Sequence, residues 1–404
     1  MRSVPGTPWP AAVAMLALAF AACDADDAPP GHVVKDTTWS GTVVLTGDVL
    51  VDAGVTLTIL PGTRIVVTAG MDDTGQSQLG PADDMTRTDP TGDPDAGGDE
   101  YHRTHIGINA QGRIVAKGTA DRPIVFTSSS PDPHYTDWIG ITARDGEFEY
   151  VVVEWCVNGI YSVDGGSRFT LDHVNVRHVW AAATGFQYLA PGAVAYLRHS
   201  TLEDCGHEAV DTHSPGMLEV AYTVIRGCQA GLNLHDDITL NAHHNVIVDT
   251  TFPVLAVNAK NAFVTQHVLN ARDQDASRWT YQGWTMPALQ GGAAVFVPAG
   301  DTHLVVTNSI VFDSARGLRN EAAETAIASG WIAMDEVAEP YVTNAIPGEG
   351  GLAVEAGFVD PAAGDFRLRD DSPCRDAGNP ADGSPDLGAF GGADAQAGIG
   401  WQGP

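Results

Sequence analysis

Five hydrophobic anchors recur at nearly constant spacing through the middle of the chain. Val153, Val176, Leu202, Ile225 and Ile247 are 23, 26, 23 and 22 residues apart. Each closes a short run rich in β-branched residues, at 151–153, 171–176, 197–202, 220–225 and 240–247. A period in the twenties with strand chemistry specifies a solenoid, because a single repeat cannot bury its apolar face alone. One turn of a parallel β-helix takes roughly this many residues, and successive turns stack about 4.8 Å apart.

Flanking columns test the register. One residue after the first four anchors stand Glu154, Arg177, Glu203 and Arg226. Their signs alternate, as neighbours on a solvent-facing ladder must to avoid like-charge contacts. Three residues after the anchors come Cys156, Val179, Cys205, Cys228 and Thr250, a small or apolar set suited to an inward column. Three residues before them come Tyr150, His173, His199, Tyr222 and His244, a ring column read as structural. Cys205 and Cys228 fall on adjacent coils, close enough for a disulfide, with two buried thiols as the alternative. The expected fold is therefore all-β: one single-stranded right-handed parallel β-helix with an N-terminal cap near Trp39.

Residues 39–67 extend the pattern at the front, in β-branched runs punctuated by Gly and Asp. Two insertions interrupt it. Residues 70–105 are polar and acid-rich, and residues 273–292 carry Trp279, Tyr281 and Trp284 in a poorly periodic stretch. Both are expected to be projecting loops, where function tends to sit on a regular scaffold.

The N-terminus lies outside this fold. Arg2 precedes a short apolar run, 11–22, that fits a signal-peptide core and is too short for a mature membrane span. The run ends Leu18-Ala19-Phe20-Ala21-Ala22-Cys23, which resembles a bacterial lipoprotein signal with Cys23 as the lipidated residue. Phe20 replaces the usual aliphatic residue, so ordinary signal cleavage is the alternative. The expected division is signal peptide 1–22, tether 23–36, β-helix 37–392 and tail 393–404. The protein is expected outside the cytoplasm, at the outer membrane or cell surface or secreted, and as a monomer. Its only membrane contact would be the lipid. With 51 Asp and Glu against 21 Lys and Arg, a net charge of −30, the surface repels nucleic acid and anionic lipid. It favours cations such as Ca²⁺, which takes oxygen ligands.

The terminal segments resemble those of bacterial right-handed β-helix repeat proteins of the pectin-lyase-like superfamily. At the front these are Trp39-Ser40-Gly41, the segment Gly54 to Thr63, Gly118 to Ser128, and Trp138-Ile139-Gly140-Ile141. At the end they are Phe358-Val359-Asp360-Pro361, Gly364 to Leu368, Ser372-Pro373, Asp376-Ala377-Gly378 and Asp386 to Gly391. The resemblance implies the fold strongly and an activity weakly, since that superfamily includes polysaccharide lyases, glycoside hydrolases, epimerases and surface proteins without a known reaction.

One cluster bears on chemistry. With Val210 over Leu232, Asp211 stacks on Asn233 and His213 on His235, and alternate strand positions share a face. Asp211 followed one coil later by Asp236-Asp237 resembles the three aspartates of the polygalacturonase family, although that family's Gly-His-Gly and Arg-Ile-Lys motifs are missing here. On that reading Asp211, Asp236, Asp237, His213 and His235 form the catalytic set of a polysaccharide hydrolase, or of a Ca²⁺-dependent lyase. Asp211, His213, His235 and Asp236 are also ligand types for Zn²⁺ or Ca²⁺. A third reading has them as exposed groups capping strand ends. Trp279, Tyr281 and Trp284 are candidate platforms for sugar rings. Asp89, Asp93, Asp95 and Asp99 are candidate Ca²⁺ ligands, with Ca²⁺ as the one cofactor indicated. Asp132-Pro133-His134-Tyr135 faintly resembles the Asp-Pro-His-Asp motif of alginate epimerases. The reading as a whole is a cell-surface or secreted protein that binds a polysaccharide or cell-envelope glycan, or is structural. A carbohydrate-active enzyme is the alternative.

Overall fold

The computed structural model describes residues 31–74, 104–163, 165–187, 189–213, 216–281, 284–382, 386–391 and 399–403, with Tyr281 and Trp284 described by backbone alone. The chain is an all-β parallel solenoid of about 12 turns. Each turn lays one short strand on each of three parallel sheets. Sheet A runs from His32–Val33 and Val49–Val51 through Ile160–Ser162, Thr184–Gln187, Glu208–His213, Ala230–Leu234 and Phe252–Ala256 to Val295–Val297. Sheet B runs from Thr37–Trp39 and Thr56–Ile59 through Val194–Arg198 and Met217–Ala221 into 239–243 and 261–265. Sheet C carries the anchors, with Val153, Val176, Leu202, Ile225 and Ile247 stacked in register and fully buried.

The three columns hold. Arg177 pairs in register with Glu154 below and Glu203 above, and Glu203 with Arg226. Arg177 Nε donates to Glu154 Oε2 over 2.8 Å, and Arg226 Nε to Glu203 Oε2 over 2.7 Å. Val179 pairs with Cys156 and Cys205. The ring column occupies a left-handed corner of the coil, with φ of 50° at Tyr150, 51° at His173, 47° at His199, 52° at Tyr222 and 55° at His244. Such a corner costs a non-glycine residue backbone energy, and stacking with the neighbouring coil offsets it. The rings lie 4.4, 4.8, 5.2 and 5.2 Å apart up the column.

Four expectations need correction. The solenoid starts before residue 37, because His32–Val33 already pairs with Leu50 and Val51, and His32 Nε2 lies 2.6 Å from Asp52 Oδ1. Cys205 and Cys228 are free buried thiols rather than a disulfide. In-register inward side chains have parallel Cα–Cβ vectors, which hold two sulfurs side by side instead of crossing them. Burial first, then contact with Cys228, pushes the Cys205 thiol well up.

The third correction concerns the segment after Phe358, expected within the β-helix at 37–392, which packs on the outside of the coils. Val246 and Val248 flank the inward Ile247 and so face outward. With Val268 and Ile310 they pack against Phe358, Phe366, Leu387 and Ala389 of a segment that folds back along the outside of sheet C. Residues 399–403, expected as a tail, also dock on the coils. The Gly400 N–H donates to the Tyr222 carbonyl over 2.8 Å, and Trp401 meets the Tyr150 ring edge-on at 5.4 Å.

The fourth correction is Trp279. It is fully buried, packed with Trp180, Ile139, Val157 and Met286, so it cannot be a sugar platform. The 273–292 insertion lies down on the solenoid instead of projecting. Its Ala276–Arg278 3₁₀ turn and the Thr280–Tyr281/Trp284–Thr285 hairpin shape it, and Arg278 stacks its guanidinium 4.1 Å from the Trp279 ring centre.

Candidate functional site

On sheet A, Val210, Leu232 and Val254 stack inward, so the residues between them face out. That outer strip is polar and still largely withdrawn from solvent. Gln187, Glu208, Asp211 and Asn233 are 1%, 7%, 5% and 5% exposed. Polar groups held at such burial need partners, and they find most of them in one another. Gln187 Nε2 donates to Asp211 Oδ2 over 3.0 Å. Asn233 Nδ2 bridges two carboxylates, 3.1 Å from Glu208 Oε1 and 3.4 Å from Asp211 Oδ1. Asn233 Oδ1 is buried and has no hydrogen-bond partner among the described residues. Below the strip, the Tyr161 ring fills the space over Gly185, where a Cβ would come within 2.2 Å of it.

His213 and His235 complete the strip. Their rings stack at 4.9 Å with planes 4° apart. His213 Nδ1 lies 3.2 Å from Asp236 Oδ2, and its Nε2 lies 3.4 Å from Asp211 Oδ1. The His235 N–H donates to Thr212 Oγ1 over 3.0 Å, and Thr212 Oγ1 donates to the Asn233 carbonyl, so the backbone beneath the rings is fixed. Burial by itself raises the Asp211 carboxyl, but His213, Gln187 and the His235 charge together hold it below the ordinary carboxylate value. Burial, then the neighbouring His213 charge, lowers the His235 ring.

The structure thus brings Asp211, His213, His235 and Asp236 together. Asp237 is turned aside into an ion pair with Lys260, 2.9 Å from Oδ1 to Nζ. Asp236, Asp237, Asn258, Lys260 and Asp301 line an open depression to which Asp211 does not contribute. The three aspartates therefore do not meet in one groove. Glu208 belongs to the cluster and was missed. Its signal lay in the sequence, as a charge in a column otherwise occupied by Ala230 and Phe252. Tyr281 and Trp284 pair across their hairpin, but their side chains lie outside the described residues, as do Cys23 and Asp89, Asp93, Asp95 and Asp99.

Two other clusters have structural explanations. Asp172 Oδ1 lies 2.8 Å from His199 Nδ1 and 2.9 Å from His173 Nδ1, within the ring ladder that continues into Tyr150 and Tyr222. The Asp132–Tyr135 segment clamps the 273–292 insertion. His134 Nε2 lies 3.1 Å from the Thr280 carbonyl, and Tyr135 Oη donates to Asp204 Oδ2 over 2.8 Å.

Fold and strip together define the class, an all-β parallel β-helix with a withdrawn Asp/His/amide strip on one outer face. Comparison with protein-family models and with curated proteins returns no match.

Proposed function

We propose that this chain is an exported β-helix protein that binds glycan along the outer strip of sheet A without cleaving it. Export follows the N-terminal reading, with Cys23 lipidated at the cell surface or the signal cleaved in the ordinary way. Among the described residues, no helix is long and apolar enough to cross a membrane. The protein acts as a monomer with a polysaccharide or cell-envelope glycan as partner.

The supporting observation is the outward row Gln187, Glu208, Asp211 and Asn233. Carboxylates and amides match sugar hydroxyls, which both donate and accept, and side chains locked by one another are pre-organised for a ligand. Hydrolysis needs a carboxylic acid and a carboxylate on opposite sides of one glycosidic bond. Here Asp211 is engaged by Gln187, Asn233 and His213, and Asp237 by Lys260. That arrangement favours binding over cleavage.

The test is a panel of immobilised polysaccharides, run with Ca²⁺ and with chelator, scored for retention and for new reducing ends. Retention without reducing ends is expected. Reducing-end release that Asp236→Asn abolishes would establish the hydrolase instead.

A further inference from the structure

The strip has a second feature that sugar binding does not require. His213 presents both ring nitrogens to carboxylates, Nδ1 to Asp236 and Nε2 to Asp211. When Nδ1–H donates to Asp236, Nε2 turns a lone pair toward an Asp211 oxygen. A cation between Nε2 and the Asp211 oxygen would be held by both. His235 stacks directly above, and one ligand atom each from Asp211, His213 and His235 lies within 4.8 Å of the others.

We propose that Asp211, His213 and His235 form a three-ligand site for a borderline divalent transition-metal cation of the Zn²⁺ type. Bonds of about 2.0–2.1 Å set tetrahedral ligand atoms about 3.4 Å apart, and Asp211 Oδ1 and His213 Nε2 already stand at 3.4 Å. The wider separations close by rotation of the partly buried His235 ring. Two imidazoles select against Ca²⁺, which takes oxygen ligands, and for zinc-like ions.

The surroundings resemble those a metal ligand needs. Asp236 holds the far nitrogen of His213, the carboxylate–histidine arrangement that fixes a ligating tautomer. Gln187 anchors the second oxygen of Asp211. Asn233, in register with Asp211 on the same face, keeps a buried Oδ1 without a hydrogen-bond partner among the described residues. Three protein ligands leave a fourth position for water or a ligand oxygen. The glycan reading does not depend on this site, nor the site on that reading.

The full-length exported protein, stripped with chelator, is titrated with ZnCl₂ by calorimetry, and with CoCl₂ by visible absorption. One Zn²⁺ per chain is expected, together with the intense absorption bands of four-coordinate Co²⁺. His213→Gln and His235→Gln are expected to weaken Zn²⁺ binding at least about tenfold. Asp172→Asn, in the ring ladder, is expected to leave it unchanged. The Co²⁺ spectrum needs no variant and so stands if a substitution impairs folding. Absence of stoichiometric Zn²⁺ binding, or binding lost in Asp172→Asn and kept in both histidine variants, overturns the site. Glycan retention measured on the stripped protein separates the two proposals, since it survives chelation if only the metal site fails.

Discussion

His267 links one buried ring to the pH at which the solenoid survives. It is fully buried, with Nδ1 2.8 Å from the Thr265 carbonyl and Nε2 3.2 Å from Asn245 Nδ2. That pattern fits the neutral ring, which donates once and accepts once. Burial pushes its pKa down to about 3. The unfolded ring titrates near 6.5, so between those values the unfolded state binds the extra proton and stability is lost as the pH is lowered. Asp211 acts in the same sense lower down. Its folded pKa is depressed, so its contribution is present above the unfolded value and lost as pH falls through the folded one. Chemical denaturation from pH 7 to pH 4 should therefore show falling stability. His267→Gln, neutral in both states, should flatten that slope. An unchanged slope in the variant would place the pH dependence elsewhere.

At the scale of elements, the insertion at 273–292 is a clasp whose pin is Trp279. The side chain is fully buried among Trp180, Met286 and Ile139. Removing a buried Trp side chain costs about 3–5 kcal/mol, here taken mainly from docking of the insertion rather than from the coils. Trp279→Ala should make Arg278 quickly accessible to trypsin while the far-ultraviolet spectrum of the solenoid stays as it was. Unchanged cleavage would show that the clasp is held otherwise. The contrast with the coils explains what a sequence can disclose. The charge, anchor and ring columns were legible because each repeats at the coil period, so Arg177 and Arg226 announce their partners. Trp279 does not repeat, and its burial depends on Trp180 and Ile139, both remote from it in sequence. At the site, the stacking of Asp211 on Asn233 and of His213 on His235 followed from register alone. The buried bridge through Glu208 did not, because a side chain's choice among nearby donors is set by geometry. The outward apolar face of sheet C was half legible. Val246-Ile247-Val248 is a continuous apolar run, the mark of a strand covered on both faces.

Across the whole molecule, the terminal segment and the insertion cover different outer surfaces. The segment after Phe358 lies on sheet C, and residues 399–403 cross the ring ladder. The insertion covers the corner leading into sheet A, where Gln229 Nε2 donates to the Pro287 carbonyl. The Asp211 strip keeps its two histidines partly open, with side-chain exposure of 29% at His213. A solenoid this long offers a ligand a row of equivalent steps, and on sheet A the outward steps at Gln187, Asp211 and Asn233 are polar, withdrawn and interlocked. The most direct test is hydroxyl-radical footprinting of the protein, with and without a saturating amount of a polysaccharide that retains it. Oxidation of His213 and His235 is expected to fall sharply while His32, exposed at the far end of sheet A, is oxidised as before. Unchanged oxidation of both strip histidines under saturating polysaccharide would contradict it.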